Sequence, residues 1–536
     1  MAEVQEFPVS YSSVKLHRGP YFTVAEVPAF TEVIFSMSKA LHINDKDNVA
    51  VALVSLPAGE IIRVGGYEVK LLDPLKPGHK FALKSIPEGG EVIKYGFPIG
   101  RATRPIQPGE WIHTHNLVSG LKELQEYTYN PRTTPADRSR GREEVSLTFS
   151  GFLRPDGQVG VRNEIWIIPT VGCVNQLAEN LSMLARQRFS SFPHIDGFYA
   201  LKHPYGCSQL GEDHANTRRL LSSLCHHPNA SGVLVLGLGC ENNRMEEFKE
   251  TLGEFEPRRV KFLVAQEAGN EIEEGLKLLD ELVQYAQEFK RIPCPITELK
   301  VGLKCGGSDA FSGITANPLV GLVADHIVSQ GGTAVLTEVP EMFGAETILM
   351  DRAVDEDVFK KIVHLINSWK KYYLDHGQPV YENPSPGNKE GGITTLEEKS
   401  LGCVQKGGSS AVVDVLEYGE RCRVKGLNLL SAPGNDLVSS TALAAAGCQV
   451  VLFTTGRGTP FGTCVPTVKI ASNSTIYSKK PHWFDFNAGR ILEGEGMEDL
   501  ALKLLDLVLK VASGKQVKAE IMGYREIAIF KSGVTL

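Results

Sequence analysis

Four cysteines recur at one kind of place in this sequence: Cys173 after IWIIPTVG, Cys207 after YALKHPYG, Cys240 after VLVLGLG and Cys305 after VGLK. Each closes an apolar run and is followed by small or polar residues and then a helical stretch. If those runs are neighbouring parallel strands, the four thiols meet at one sheet edge, beside helix N-termini that favour the thiolate. Such thiolates would form a soft-ligand site for iron, as a single ion or as a cluster. The same positions also suit plain packing, because cysteine is among the most buried residue types. Cys225, Cys294, Cys422 and Cys448 lack this placement and read as core, while Cys403 and Cys464 lie beside glycine-rich loops and stay open between the two readings.

Histidines offer a second ligand set. His113 and His115 in HTHN are two apart, which on a strand puts them on one face, where they could share a metal with His42 and with Asp47 as an oxygen ligand. Exposed edge histidines explain the same pair equally well. His79, next to Lys80 in the turn PGHK, has the side chain for general acid or base work near neutral pH.

Glycine-rich segments form a third group, at 305–313, 383–392, 405–410 and 454–462. Glycine lets a backbone approach a ligand closely, and Ser308, Asp309, Asn388, Lys389, Lys406, Arg457 and Thr459 supply donors and charges for a carboxylate or several hydroxyls. Arg457 has the fork to clamp a carboxylate. No segment matches a phosphate-binding P-loop or a strand-linked GxGxxG with a downstream acid, so nucleotide binding gains no support.

These residues need elements to hold them. Residues 1–37 show no periodicity and read as an extension. From 38 to 118, short β-branched runs alternate with Pro-then-Gly turns at Pro57, Pro77, Pro87 and Pro108, the pattern of a small all-β module. Residues 119–147 are polar and rich in Pro, Thr and Arg, and read as a linker. Beyond them unbroken apolar runs alternate with amphipathic helices, predicted at 175–188, 217–226, 270–289 and 318–329, which is the signature of parallel strands covered on both faces. A Pro/Gly-rich stretch at 377–395 separates this α/β part (148–376) from further α/β signals over 396–536, with helices predicted at 439–446 and 497–513. The fold class is therefore α/β and multidomain, with an all-β module in front of a large, mainly parallel body.

Composition sets the outer bounds. The chain has 536 residues, more than one hydrophobic core usually serves, with 42% hydrophobic and 22% charged residues. A net charge of -7 with no long basic block gives no footprint for nucleic acid. There is neither an apolar run of about 18 residues nor a signal-peptide layout, so a cytoplasmic protein with no membrane partner is expected. Ten cysteines in such a chain are too dilute for a disulfide framework.

Longer motifs point to a family. DNVAVAL, GHKFAL, GQVGVRNEIWIIPTVGCVN, YGCSQLG, VLGLGCENN, CGGSDAFSGITANP, TEVPEMFGAE, ENPSPGNKEGGITTLEEKSLG and TTGRGTP resemble those of the altronate/galactarate dehydratase family, from about residue 40 to the C-terminus. The resemblance implies that the β-module is a SAF-type (β-clip) domain and the rest a dehydratase body. It also implies a homodimer and a small sugar-acid substrate. HTHN at 113–116 and TEVPEMFGAE at 337–346 are similar to the altronate branch, which implies loss of water from C2 and C3 of D-altronate to give 2-dehydro-3-deoxy-D-gluconate. Ferrous iron, with manganese as a substitute, is the implied cofactor. The enediolate formed when the C2 proton leaves needs concentrated positive charge, from a metal and Arg457. His79 is the candidate for one proton-transfer role, with Lys80, His203 or Lys406 for the other.

Overall fold

A computed structural model describes residues 38–131 and 147–536. The predicted extension (1–37) and the linker residues 132–146 lie outside the described residues. The all-β module is as predicted: Ala40–Leu41, Val49–Ala52, Lys80–Ala82 and Trp111–Ile112 form one antiparallel sheet, Glu91–Lys94, Phe97–Ala102 and Leu117–Val118 another, and Ile61–Val64 pairs with Tyr67–Lys70. Apolar side chains such as Val51, Phe81, Val92 and Ile112 are fully buried, Phe81 on the opposite face of the sheet core from the other three.

The body holds two parallel sheets. The first runs Gly197–Ala200, Glu164–Pro169, Ala230–Gly237, Val260–Val264 in spatial order. The second has seven strands, with Lys300–Cys305 at its centre between Thr333–Leu336 and Val450–Thr455. Predicted helices appear as Asn175–Arg188, Gly211–Cys225, Glu271–Ala286, Ala316–Ser329, Asp436–Ala445 and Met497–Ala512. Their ends follow local chemistry. Asn270, for example, accepts hydrogen bonds from Ile272 and Glu273 N–H, and Glu271, Glu273 and Glu274 line the first turn of the helix that follows.

Two boundaries differ from expectation. The Pro/Gly-rich stretch at 377–395 divides nothing, because strands before and after it (300–336 and 412–487) share the seven-stranded sheet. The break between body parts falls instead between the two sheets. Residues 119–131 are not a free tether either: Ser119 Oγ and Gly120 N donate to Glu397 at 3.0 and 2.7 Å, and Tyr127 OH donates to Glu346 at 2.5 Å.

Candidate functional site

The helix Leu396–Cys403 is buried along its whole length although it carries Glu397, Glu398 and Lys399. Buried charges must be paired, and the pairing organises this region. Glu398 faces the β-module and receives Lys80 Nζ and Lys94 Nζ, each at 2.8 Å, all three side chains being at most 1% exposed. Burial would raise the Glu398 carboxyl, but the two ammoniums outweigh it and hold it near 2. Lys80 also donates to Thr394 Oγ1 (2.5 Å) and Gly392 O (3.3 Å), so it acts as a clamp between module and body.

About 100° round the helix from Glu398, Lys399 and Cys403 lie four apart on a second face. Lys399 Nζ donates to Glu341 (2.9 Å), Asn383 (3.0 Å) and Asn388 (3.2 Å). Cys403 Sγ is 3.3 Å from Cys305 Sγ and 3.2 Å from Glu341 Oε2. Cys305 ends the central strand of the seven-stranded sheet, and its backbone N–H donates to Glu338 at 2.9 Å. Lys406 Nζ bridges Cys305 Sγ and Glu338, both at 2.9 Å, and Lys304 pairs with Glu338 and, at 2.9 Å, with Asp436. Glu338 takes a left-handed backbone (φ 72°, ψ 54°), uncommon for a non-glycine residue and typical of functional positions.

Three ammoniums and three carboxylates thus surround a pair of thiols. The hydrogen bond from Cys403 and the charge of Lys406 hold the Cys305 thiol below its ordinary range against the effect of burial, while Cys403 is pushed up by its bond to Cys305 and by burial. Glu341, which burial would raise, is held near 2 by Lys399, Lys304 and Lys406.

Among the described residues, Cys305, Glu341 and Cys403 are the one group of three or more His, Cys, Asp or Glu side chains whose donor atoms lie within 4.8 Å of one another. Their separations of 3.2 to 3.7 Å approach the edge of a tetrahedron with metal–sulfur bonds of about 2.3 Å, which is about 3.8 Å. Two thiol protons leaving as a divalent ion enters would keep the net charge of the site unchanged. These residues therefore fit a divalent metal.

A cavity lined by Lys94, Tyr95, Ser308, Asp309, Lys399 and Cys403 lies between module and body. Ser308 Oγ is buried there without a hydrogen-bond partner. The cavity admits the centre of a water molecule over only about 10 Å³, room for one water.

The sequence candidates separate accordingly. Cys305, Lys406, Ser308 and Asn388 belong to this site, although Asn388 mainly positions others, donating to Ser308 O at 2.7 Å. Asp309 is engaged by Ser312, Ser472 and Asn473 and holds the loop. Lys389 is half-buried on the short helix Pro386–Glu390. Arg457 is 45% exposed and paired with Glu390 at 2.9 Å, so it is no buried carboxylate clamp. Thr459 contributes its carbonyl to Lys469 (2.7 Å). His79 has both ring nitrogens engaged, Nδ1 accepting from Trp111 and Nε2 facing Glu390 O, which leaves no lone pair for a substrate.

The histidine ligand set does not assemble. The strand ends at Ile112, so His113 and His115 sit in the following turn, both against Trp111, rather than alternating along a strand. His113 Nδ1 bonds Thr394 Oγ1 at 2.8 Å. Asp47 accepts from Asn44, Tyr95 and Gly96 N–H, and His42 bonds Asp47 O. His203 and Cys173, Cys207 and Cys240 lie at the edge of the other sheet, not with Cys305. Missed in the sequence were Lys304, Glu338, Glu341 and Lys399. A lysine closing an apolar strand and acids spaced through TEVPEMFGAE were the available signals, since charge inside buried segments demands partners.

The geometry agrees with what similarity to known proteins adds. Residues 38–120 match the altronate/galactarate dehydratase SAF domain, 151–287 the second domain of D-galactarate dehydratase/altronate hydrolase, and 296–535 the D-galactarate/altronate dehydratase C-terminal domain. The chain belongs to the altronate/galactarate dehydratase family. Among its relatives, altronate dehydratase of Bacillus subtilis (strain 168) is 55% identical over 93% of this chain and 100% of the relative. Altronate dehydratase of Escherichia coli (strain K12) is 52% identical over 92% and 99%. Galactarate dehydratase (L-threo-forming) of Escherichia coli (strain K12) is 36% identical over 89% and 93%. Within this family fold, no helix among the described residues is long and apolar enough to cross a membrane.

Acid should unfold this dehydratase-family chain in a defined window. Burial pushes His113 and His203 down to about 4 and His227 to about 3, against 6.5 ordinarily. Glu398 and Glu341 sit near 2 rather than 4.5. The unfolded chain binds more protons than the fold in both intervals, so stability falls as pH drops from 6.5 to 4 and again from 4.5 to 2. Asp47, raised by burial to about 6, and the raised carboxyls of Glu164, Asp309, Glu397 and Asp485 oppose this, while burial also lowers His79, His214 and His226, which add to it. Melting temperatures measured at descending pH should decline below 6.5; a flat profile down to 4 would contradict the assignment.

Proposed function

We propose that this enzyme removes water from D-altronate to give 2-dehydro-3-deoxy-D-gluconate, at the buried cluster of Cys305, Glu338, Glu341, Lys399, Cys403 and Lys406. The observation that carries the site is three buried ammoniums, Lys304, Lys399 and Lys406, around one pair of thiols. An enediolate needs such concentrated positive charge fixed before reaction. The higher identity to altronate dehydratases, 55% and 52% against 36% for galactarate dehydratase, favours altronate as substrate.

In this reading Glu338 accepts the C2 proton, and Lys399, on the cavity wall, donates a proton to the departing C3 hydroxyl. Lys304 and Lys406 hold the developing charge, and Ser308 Oγ bonds a substrate hydroxyl. A divalent metal, ferrous iron with manganese as a substitute, would be held by Cys305, Glu341 and Cys403 and would supply Lewis-acid polarisation of the substrate carboxylate. The enzyme works in the cytoplasm as a homodimer.

Anaerobic assay with D-altronate, with and without ferrous iron, should yield 2-dehydro-3-deoxy-D-gluconate in an iron-dependent way. Product from galactarate alone would keep the chemistry and change the substrate; product from sulfolactate alone would replace loss of water by loss of sulfite. Binding of altronate without turnover would mark a sugar-acid sensor.

A further inference from the structure

We propose that Cys173, Cys207 and Cys240 form a second metal centre, a three-thiolate site for an iron–sulfur cluster whose remaining iron is open to an oxygen ligand such as water or a hydroxy acid. This goes beyond the dehydration reading and does not depend on it.

All ten cysteines fall within the described residues; seven are buried and these three are exposed. Free cysteine is ordinarily among the most buried residue types, so three at the surface call for a reason, and they are not scattered. They follow Glu164–Pro169, Gly197–Ala200 and Ala230–Gly237, which are adjacent and parallel, so the three loops leave one edge of one sheet.

The loops are also laced together. Gly172 N donates to Tyr205 O at 2.8 Å, Asn243 N to Gly206 O at 2.9 Å, and Ser208 N to Asn242 Oδ1 at 2.8 Å. Each bond joins residues at most three positions from two different cysteines. His203 adds a bolt: Nε2 donates to Pro169 O at 2.8 Å and Nδ1 accepts from Tyr205 N at 3.2 Å. Burial keeps that imidazole neutral near pH 7 and so able to play both parts. Glu241 fixes the third loop, accepting from Thr170 Oγ1 (2.7 Å), Leu238 N (3.0 Å) and Gly239 N (2.6 Å). His203, a proton-transfer candidate in the sequence, is thereby a positioning residue for the thiols.

Spacing argues against a single ion. None of these cysteines joins a group of three metal-capable side chains within 4.8 Å, whereas thiolates on one tetrahedral ion stand about 3.8 Å apart. A cluster spreads its thiolates over different irons and accepts a wider triangle. Amide donors for sulfur are present: Gln266 Nε2 donates to Cys240 Sγ at 3.5 Å, and Gln209 Nε2, two residues after Cys207, is buried without a partner. Hydrogen bonds to sulfur of this kind tune such clusters. Binding would release the three thiol protons.

The test is anaerobic reconstitution of the full-length protein with ferrous iron and sulfide, reading iron, acid-labile sulfide and visible absorption per chain. Wild type should take up labile sulfide together with iron, any iron in excess of the sulfide being lost in Cys305→Ser and Cys403→Ser, with a broad thiolate-to-iron absorption. Cys173→Ser, Cys207→Ser and Cys240→Ser should each lose the sulfide and the absorption while keeping the far-ultraviolet circular dichroism of wild type. Cys305→Ser and Cys403→Ser should keep the cluster. Iron without labile sulfide in wild type, or a cluster that survives the triple Cys173/Cys207/Cys240 to Ser variant, would overturn the proposal. Because no readout is turnover, failure of the altronate assay leaves this result standing.

Discussion

Lys399→Met is expected to lower kcat on D-altronate by about 100- to 1000-fold, the usual cost of removing one preorganised charge-stabilising donor from a water-poor site. Methionine keeps the length and apolar stem of lysine but removes the ammonium that reaches Glu341, Asn383 and Asn388. Glu341 would still have Lys304 and Lys406 nearby to keep it ionised, so the helix should remain folded, which circular dichroism checks. As proton donor to the leaving hydroxyl, Lys399 acts in the transition state; the loss should therefore appear in kcat more than in KM. A Lys399→Met enzyme within threefold of wild type would remove Lys399 from the chemistry.

Glu398→Ala should have the largest effect on stability. The substitution strips the shared carboxylate from Lys80 and Lys94, which are at most 1% exposed. Removing one partner from a buried ion network costs about 3–5 kcal/mol, because the charges left behind have neither water nor a counter-ion. Urea unfolding should show that loss. The triple replacement Lys80→Met, Lys94→Met, Glu398→Leu should recover most of it, since apolar side chains of similar volume do not need to be neutralised. If Glu398→Ala unfolds at the wild-type urea concentration, the clamp contributes nothing to holding module against body.

Local patterns were readable because they depend on neighbours in sequence. The helices at 175–188, 316–329 and 497–512 and the all-β module follow from periodicity and turn chemistry. What the sequence hid is long-range. Lys80 meets Glu398 across 318 positions, and Cys305 meets Cys403 across 98; no spacing rule links such pairs. The recurring cysteine position was legible, but not that Cys305 ends a strand of a different sheet from the other three. His113 and His115 misled because the strand stops one residue before the first of them.

The near-solid cavity bears on how affinity is set. A form with space for a single water does not admit a six-carbon acid, so if the proposed site is where the acid binds, binding would draw on molecules in which module and body have parted. Observed affinity is then the intrinsic affinity scaled down by that fraction. On that reading the ion clamp of Lys80, Lys94 and Glu398 would double as a thermodynamic latch, and weakening it without breaking the fold would tighten apparent binding while slowing the step that needs the closed form.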